Sequence, residues 1–282
     1  MFAIILNGIV LGCIYALIAA GLNLIWSITD VPDFSQGGIY AVTAYACYFV
    51  ITLTNLPFII AIITAALVGA TLSFLFEKLL YSRWRGQVTI QLLCAIALFF
   101  LLQNSAILLW TAKSRIIPNY INGSLLLFGN AVSFQRVLVV VIVIILFILL
   151  NLFIKNTKIG KAIRAASQDM ETAELIGINI NQIYSIIFII GGALSGFAAA
   201  MIIPIYNLNP MIGEIPLFKA MAVVIIGGLG SITGALYAGI GLGILESFGA
   251  YYISSAYQHG FAFILLLSVL ILRPQGLFGK RD

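Results

Sequence analysis

Few side chains in this 282-residue chain could do chemistry, because only 8% of it is charged. Lys219, Glu214 and Glu246 fall in or beside one long apolar stretch. A charge at the bilayer centre costs about 2.5–3.5 kcal/mol on insertion scales, so such residues are expected to face protein or water. Glu246 lies about four helical turns beyond Ser231, which leaves a contact with Lys219 across the intervening glycines within reach. The alternative places Lys219 and Glu214 in the outer interface. A second polar group is the run Asp33-Phe34-Ser35-Gln36-Gly37-Gly38, which interrupts the apolar pattern early in the chain. The third, Lys155–Gln182, is a 28-residue polar island that carries seven of the 23 charged side chains.

Other chemistries find no support. Gly160-Lys161 is followed by Ala and Gly279-Lys280 by Arg, so no phosphate-binding Walker A loop is expected in this chain. The single histidine, His259, is expected in the interface. Cys13, Cys47 and Cys94 lie in or beside apolar segments and read as small buried hydrophobes. With no nucleophile–base pair and no metal-ligand cluster, the chain is not expected to be an enzyme or to bind a cofactor or metal. Its net charge of +5 is distributed over loops and segment ends, so no nucleic-acid partner is implied.

At 62% hydrophobic, the chain is far from the soluble range and is expected to be an all-α, multi-span bundle within a lipid membrane. Apolar segments fall near 2–28, 38–54, 56–76, 90–111, 137–154, 183–206, 217–250 and 259–272. No basic residue precedes the first, so a cleavable signal peptide is not expected. Lys78, Arg83 and Arg85 mark one inside loop, Lys155 to Arg164 a second, and Arg273, Lys280 and Arg281 an inside C-terminus. The 112–136 loop also carries Lys113, Arg115 and Arg136, but its length and Pro, Asn, Gly and Ser content suit an external surface.

Placing both the island and the C-terminus inside requires an even number of crossings between them. The stretch 217–250 must therefore be broken, and Gly227-Gly228-Leu229-Gly230-Ser231 is the expected break. Eight to nine crossings or half-crossings result, with the N-terminus outside and residues 1–282 as one domain. Small residues recur at spacing four in Gly8/Gly12/Ala16/Ala20, in Gly192/Gly196/Ala200 and in Gly227/Ser231/Ala235/Gly239/Gly243, a pattern that lets helix backbones approach in lipid. The interruptions at Asp33–Gly38 and Gly227–Ser231 lie in opposite halves, and paired interruptions can mark internal repeats.

Within the island, Asp169 suits an N-cap and Glu171 the first turn, while Gly177 sits where a left-handed C-cap belongs. The expectation is a short capped helix of about two turns on the cytoplasmic side, held at the membrane face by Leu175 and Ile176, with Asn179 or Asn181 capping the next helix. Such a helix is either a structural interfacial element or a peg that docks into a soluble partner.

The pattern Ala173-Glu174-Leu175-Ile176-Gly177 resembles the Glu-Ala-Ala…Gly coupling loop of ABC importer permeases. Seven blocks in order look like the LivH-type permease of branched-chain amino acid ABC transporters: 12–25, 160–169, 175–179, Lys219-Ala220, 227–231, 241–246 and 273–279. The resemblance implies a multi-pass permease subunit of the cell inner membrane. It implies pairing with a second, homologous permease (or a second copy), two cytoplasmic ATPase subunits that bind the ATP, and an extracytoplasmic binding protein. Lys161, Arg164, Asp169, Ala173, Glu174 and Gly177 become candidates for coupling to the ATPase. One block departs: Asp33-Phe34-Ser35-Gln36-Gly37 stands where the family usually reads Asn-Phe-Ala-His-Gly. Asp33, Ser35, Gln36 and Gly37 are thus candidate pathway or gating residues, with Lys219, Gly228, Gly230, Ser231 and Glu246. The alternatives are a urea or short-amide importer, or an ATP-independent carrier or channel.

Overall fold

The computed structural model describes residues 1–54, 57–115, 123–127, 130–254 and 258–279. Lys280, Arg281 and the His259 side chain lie outside the described set. The helices are α1 (Phe2–Thr29), α2 (Ser35–Thr54), α3 (Phe58–Leu79), α4 (Val88–Trp110), α5 (Phe134–Asn156), α6 (Lys158–Ala166), α7 (Met170–Leu175), α8 (Ile180–Ile202), α9 (Glu214–Gly227), α10 (Ile232–Tyr252) and α11 (Gln258–Leu272). A single 3-10 turn, Tyr81–Trp84, joins α3 to α4. Strands β1 (Ser124–Leu127) and β2 (Asn130–Ser133) form an antiparallel hairpin before α5, a small departure from an all-helical chain.

Among the described residues seven helices, α1–α5, α8 and α10, are long and apolar enough to cross a membrane. The protein is a multi-pass helical membrane bundle. At 14 residues α9 is about 21 Å long, short of the roughly 30 Å of hydrocarbon. The expected break is present: α9 ends at Gly227 and α10 starts at Ile232. The broken stretch also places the C-terminal segment on the same face as the island. Phe278 shares one cavity with Lys161, Arg164 and Ser231, and Arg85 shares another with Glu174 and Gly177. The opposite face holds Met1, approached by the Tyr252 hydroxyl, and the Arg115–Leu208 backbone bridge that joins the α4–β1 and α8–α9 connections.

Close backbone approach holds the bundle together. The α1–α10 contact is the most extensive, and a Cβ on Gly12 would lie 2.5 Å from the Gly239 carbonyl oxygen. On α3 and α8, a Cβ on Gly69 would lie 2.2 Å from the Gly192 carbonyl oxygen. The α1 and α10 stripes therefore face one another, the α8 stripe packs on Gly69 and Ala65 of α3, and dispersion between bare backbones replaces the hydrophobic drive that lipid cannot supply. The third stripe is interrupted: Gly228–Ser231 is a turn, and only the part from α10 packs on α1. By contrast α5 turns Val141, Ile144, Ile145 and Ile148 outward, as a helix does when its surroundings are apolar.

Two helices begin inside the bundle. Ser35, Gln36, Gly37 and Gly38 at the start of α2 are all buried. Gly38 lies against Leu102 and Phe99, midway along α4, and Gly37 meets the carbonyl oxygen of Gly213, the residue before α9. Gly213 thus touches the start of α2 so closely that a Cβ on it would lie 1.9 Å from the Gly37 carbonyl oxygen.

Candidate functional site

The island folds as two short helices. Thr157 caps α6 by accepting a hydrogen bond from the Gly160 N–H at 2.9 Å. Asp169 caps α7, its carboxylate accepting from the Thr172 N–H at 3.0 Å and the Thr172 hydroxyl at 2.5 Å. These bonds hold the fully exposed Asp169 carboxyl below its usual pKa of 3.8. At the other end the Gly177 N–H reaches the Glu174 carbonyl at 2.9 Å and the Ile178 N–H reaches Ala173 at 3.1 Å, a Schellman closure with Gly177 at φ +88°. Asn179 caps α8 through the Gln182 N–H.

The side chains of this element divide sharply. Ala173 is buried against the bundle, whereas Leu175 and Ile176 are 87% and 71% exposed. Leu175 and Ile176 thus project from the island away from the bundle. Because the Schellman closure turns the chain after Leu175, Ala173 and Met170 face inward instead. Lys161 and Arg164 are exposed on α6 and line a cavity of about 800 Å3 that also receives Gly230, Ser231 and Phe278.

Beside α7 sits a pair that the sequence analysis did not single out. Glu77, at the end of α3, is fully buried and forms an ion pair with Arg85. Arg85 also donates to the Asn181 side chain, and its guanidinium lies 4.4 Å from the Tyr184 ring centroid. The α3–α4 connection is thereby fastened to the start of α8. A lone acid at the end of a predicted span, close in sequence to an arginine, was the available signal.

Asp33, Ser35 and Gln36 belong to a buried network. The Tyr81 hydroxyl donates to the Asp33 carboxylate at 2.7 Å, and the Ser35 N–H and Gln36 side-chain amide donate to it at 3.0 Å each. Gln36 in turn accepts from the Ser195 hydroxyl on α8 at 2.7 Å. Among the described residues no hydrogen bond joins this network to Lys219.

Lys219 and Glu246 do meet. The Lys219 ammonium lies 2.7 Å from the Glu246 carboxylate and 2.9 Å from the Tyr15 hydroxyl, with both charged residues buried. Burial argues against the outer-interface alternative for Lys219; Glu214, by contrast, is exposed. Lys219 and Tyr15 border a cavity of about 610 Å3 near the face opposite α7, which Ile107, Ile202, Ile215 and Tyr206 also line.

Gly228, Gly230 and Ser231 form the α9–α10 turn, and a residue absent from the sequence reading organises it. Asn23, buried on α1, accepts from the Gly230 N–H at 2.7 Å and donates to the Ser231 carbonyl at 3.1 Å. The C-terminal segment closes the turn from the other side. The Leu277 and Phe278 N–H groups donate to the Ile226 and Gly227 carbonyls at 2.8 and 3.2 Å. Ser231 caps α10 through the Gly234 N–H.

Residues 4–270 match the model of a family described as branched-chain amino acid transport system / permease component. The chain belongs to that family. It is 33% identical to the high-affinity branched-chain amino acid transport system permease protein BraD of Pseudomonas aeruginosa, over 99% of this chain and 95% of that one. It is 29% identical to the permease protein LivH of Escherichia coli K12, over 98% and 94%. Among solved structures, PsaBC from Streptococcus pneumoniae in complex with Fab matches 95% of this chain and 91% of that chain, with a TM-score of 0.52 and 14% identity. That likeness supports the fold. The family is described as a permease component of a transport system, in keeping with the multi-pass helical fold of this chain.

Proposed function

We propose that the chain is the inner-membrane permease of an ABC importer for branched-chain or other aliphatic amino acids. ATP is bound and hydrolysed on separate cytoplasmic subunits, and an extracytoplasmic binding protein delivers substrate. The face that carries α6 and α7, and with it the C-terminal segment, is the cytoplasmic one. The observation that carries this reading is α7 itself. It is a helix capped at both ends, anchored by Ala173, presenting two large apolar side chains and Glu174 outside the bundle. An isolated protein gains nothing from exposing Leu175 and Ile176 on a polar loop, whereas a groove on an ATPase subunit would bury them.

ATP-driven closure of the ATPase pair displaces α7 as a rigid peg. Motion passes to α8 through the Asn179 cap and to the α3–α4 connection through Arg85, and the helices rearrange between outward- and inward-facing states. A urea or short-amide importer is the second reading, since the Asp33–Gly37 block departs from the family pattern at a buried position. Uptake by the assembled transporter in liposomes decides: labelled leucine should accumulate with ATP. Transport of urea but not leucine would overturn the amino acid assignment. Glu174→Ala and Gly177→Val should leave membrane insertion intact and uncouple ATP hydrolysis from uptake. Normal coupling in both would refute the docking role of α7.

A further inference from the structure

The buried Lys219–Glu246 pair has no role in the docking of α7, and its surroundings are unusual. Lys219 and its partner Tyr15 border the 610 Å3 cavity, a volume inside the roughly 300–1,000 Å3 range of small-ligand sites, and Glu246 stands against Lys219. Ile107, Ile202, Ile212 and Ile215 give the cavity an apolar part of its wall, while Tyr15, Tyr206 and Lys219, with Glu214 and two asparagines, bring polar atoms to it. Two groups nearby lack partners: the Glu246 Oε1 and the Tyr40 hydroxyl are buried without a hydrogen bond. Tyr40 and Glu246 each lie close enough to Tyr206 to interact electrostatically with it. Buried polar atoms are almost always satisfied, so an unpartnered carboxylate oxygen and an unpartnered phenol in one cluster point to a missing partner. The first turn of α9, one half of the broken stretch, borders the same cavity, and broken helices are where transporters commonly build substrate sites.

We propose that this cluster is the seat through which the transported amino acid passes, with Lys219 and Tyr40 taking its carboxylate and Glu246 its ammonium. The inference rests on the proposed function and adds to it the residues that recognise the substrate's charged end. A zwitterion suits the pair because it carries both charges on one carbon. It can exchange partners with Lys219 and Glu246 while every buried charge stays compensated. A single-charge solute would leave one member unpaired, and urea or a sugar has no charge to exchange. The isoleucine wall receives the aliphatic side chain.

The test uses the complete transporter in liposomes with its binding protein, measuring labelled leucine moved per ATP hydrolysed. The charge-swapped variant Lys219→Glu/Glu246→Lys restores an ion pair, so a merely structural pair would tolerate it. If the swap folds, with unchanged expression and binding-protein-stimulated ATP hydrolysis, leucine moved per ATP should fall about 100-fold or more. Leucine transport within twofold of wild type would overturn the proposal. If the swap does not fold, Ile215→Trp is read in its place. It fills the cavity from an exposed wall position and should lower leucine per ATP at least tenfold, and an unchanged ratio would overturn the seat. Failure of the wild-type transporter to move any aliphatic amino acid defeats the functional reading itself, a result distinct from failure in the variants alone.

Discussion

Replacing Gly243 by alanine tests whether α1 and α10 are held by backbone contact. The added Cβ would lie 2.3 Å from the Gly8 carbonyl oxygen, 2.4 Å from the Gly12 nitrogen and 2.6 Å from the Gly12 Cα. All three are backbone atoms, so no side chain can swing aside. A carbon–oxygen contact needs roughly 3.3 Å, and the helices must part by about 1 Å. Overpacking of this kind costs about 1–3 kcal/mol. Gly241 provides the control on the same helix, because a Cβ there meets nothing within 4 Å. Gly241→Ala should gain up to about 1 kcal/mol of helix propensity. The two variants should therefore differ by about 1–4 kcal/mol, from several-fold to about a thousandfold in the native-to-unfolded ratio. Unfolding of the purified protein, followed by steric trapping in bicelles, measures the difference. Equal stability of the two variants would refute the claim that backbone approach at this stripe holds the bundle.

Four further outcomes follow from the same geometry. Arg85→Gln should destabilise the protein by about 3–5 kcal/mol, because it leaves Glu77 charged and fully buried; adding Glu77→Gln should recover most of the loss in a thermal-unfolding assay. Asp169→Ala should unravel the first turn of α7, seen as faster amide exchange at Thr172 and Ala173, whereas Asp169→Asn should retain most protection. Since Thr172 holds the Asp169 carboxyl below its usual range, the charged cap persists from neutral pH into mild acid. Its contribution is lost only as pH falls through that lowered value, which amide exchange across the same range will show. Gly276→Ala places a Cβ 2.7 Å from the Gly228 backbone at φ +80°, so the Leu277 and Phe278 amides should lose protection while those of α8 do not change.

Much of this arrangement was readable from residue types. Charge in the island and near the C-terminus demanded an even number of crossings and so a break, and the glycine cluster Gly227–Ser231 located it. Asp169 and Gly177 announced their caps, because a carboxylate before a helix and a glycine after it have few other uses. The Lys219–Glu246 contact was within reach of helical arithmetic once the break was placed. What escaped was long-range pairing. Nothing local in the sequence says that Asn23 reaches a turn about 200 residues away, that Tyr81 finds Asp33, or that Gly37 and Gly213 touch. Nor does composition reveal that α2 starts inside the bundle, because Asp33-Phe34-Ser35-Gln36 reads as an ordinary polar loop until its buried partners are known.

The closing of the α9–α10 turn by the C-terminal segment has a consequence for how the protein is made. The carbonyls of Ile226 and Gly227 receive their bonds from residues synthesised about fifty positions later, after α10 and α11. At roughly 5–20 residues per second, that turn waits about 3–10 s on the ribosome with its last helical acceptors unclosed. During that interval Asn23, already in place on α1, is the side chain available to hold Gly230 and Ser231. The first helix is thus placed to hold the last broken pair from one side before Leu277 and Phe278 close it from the other.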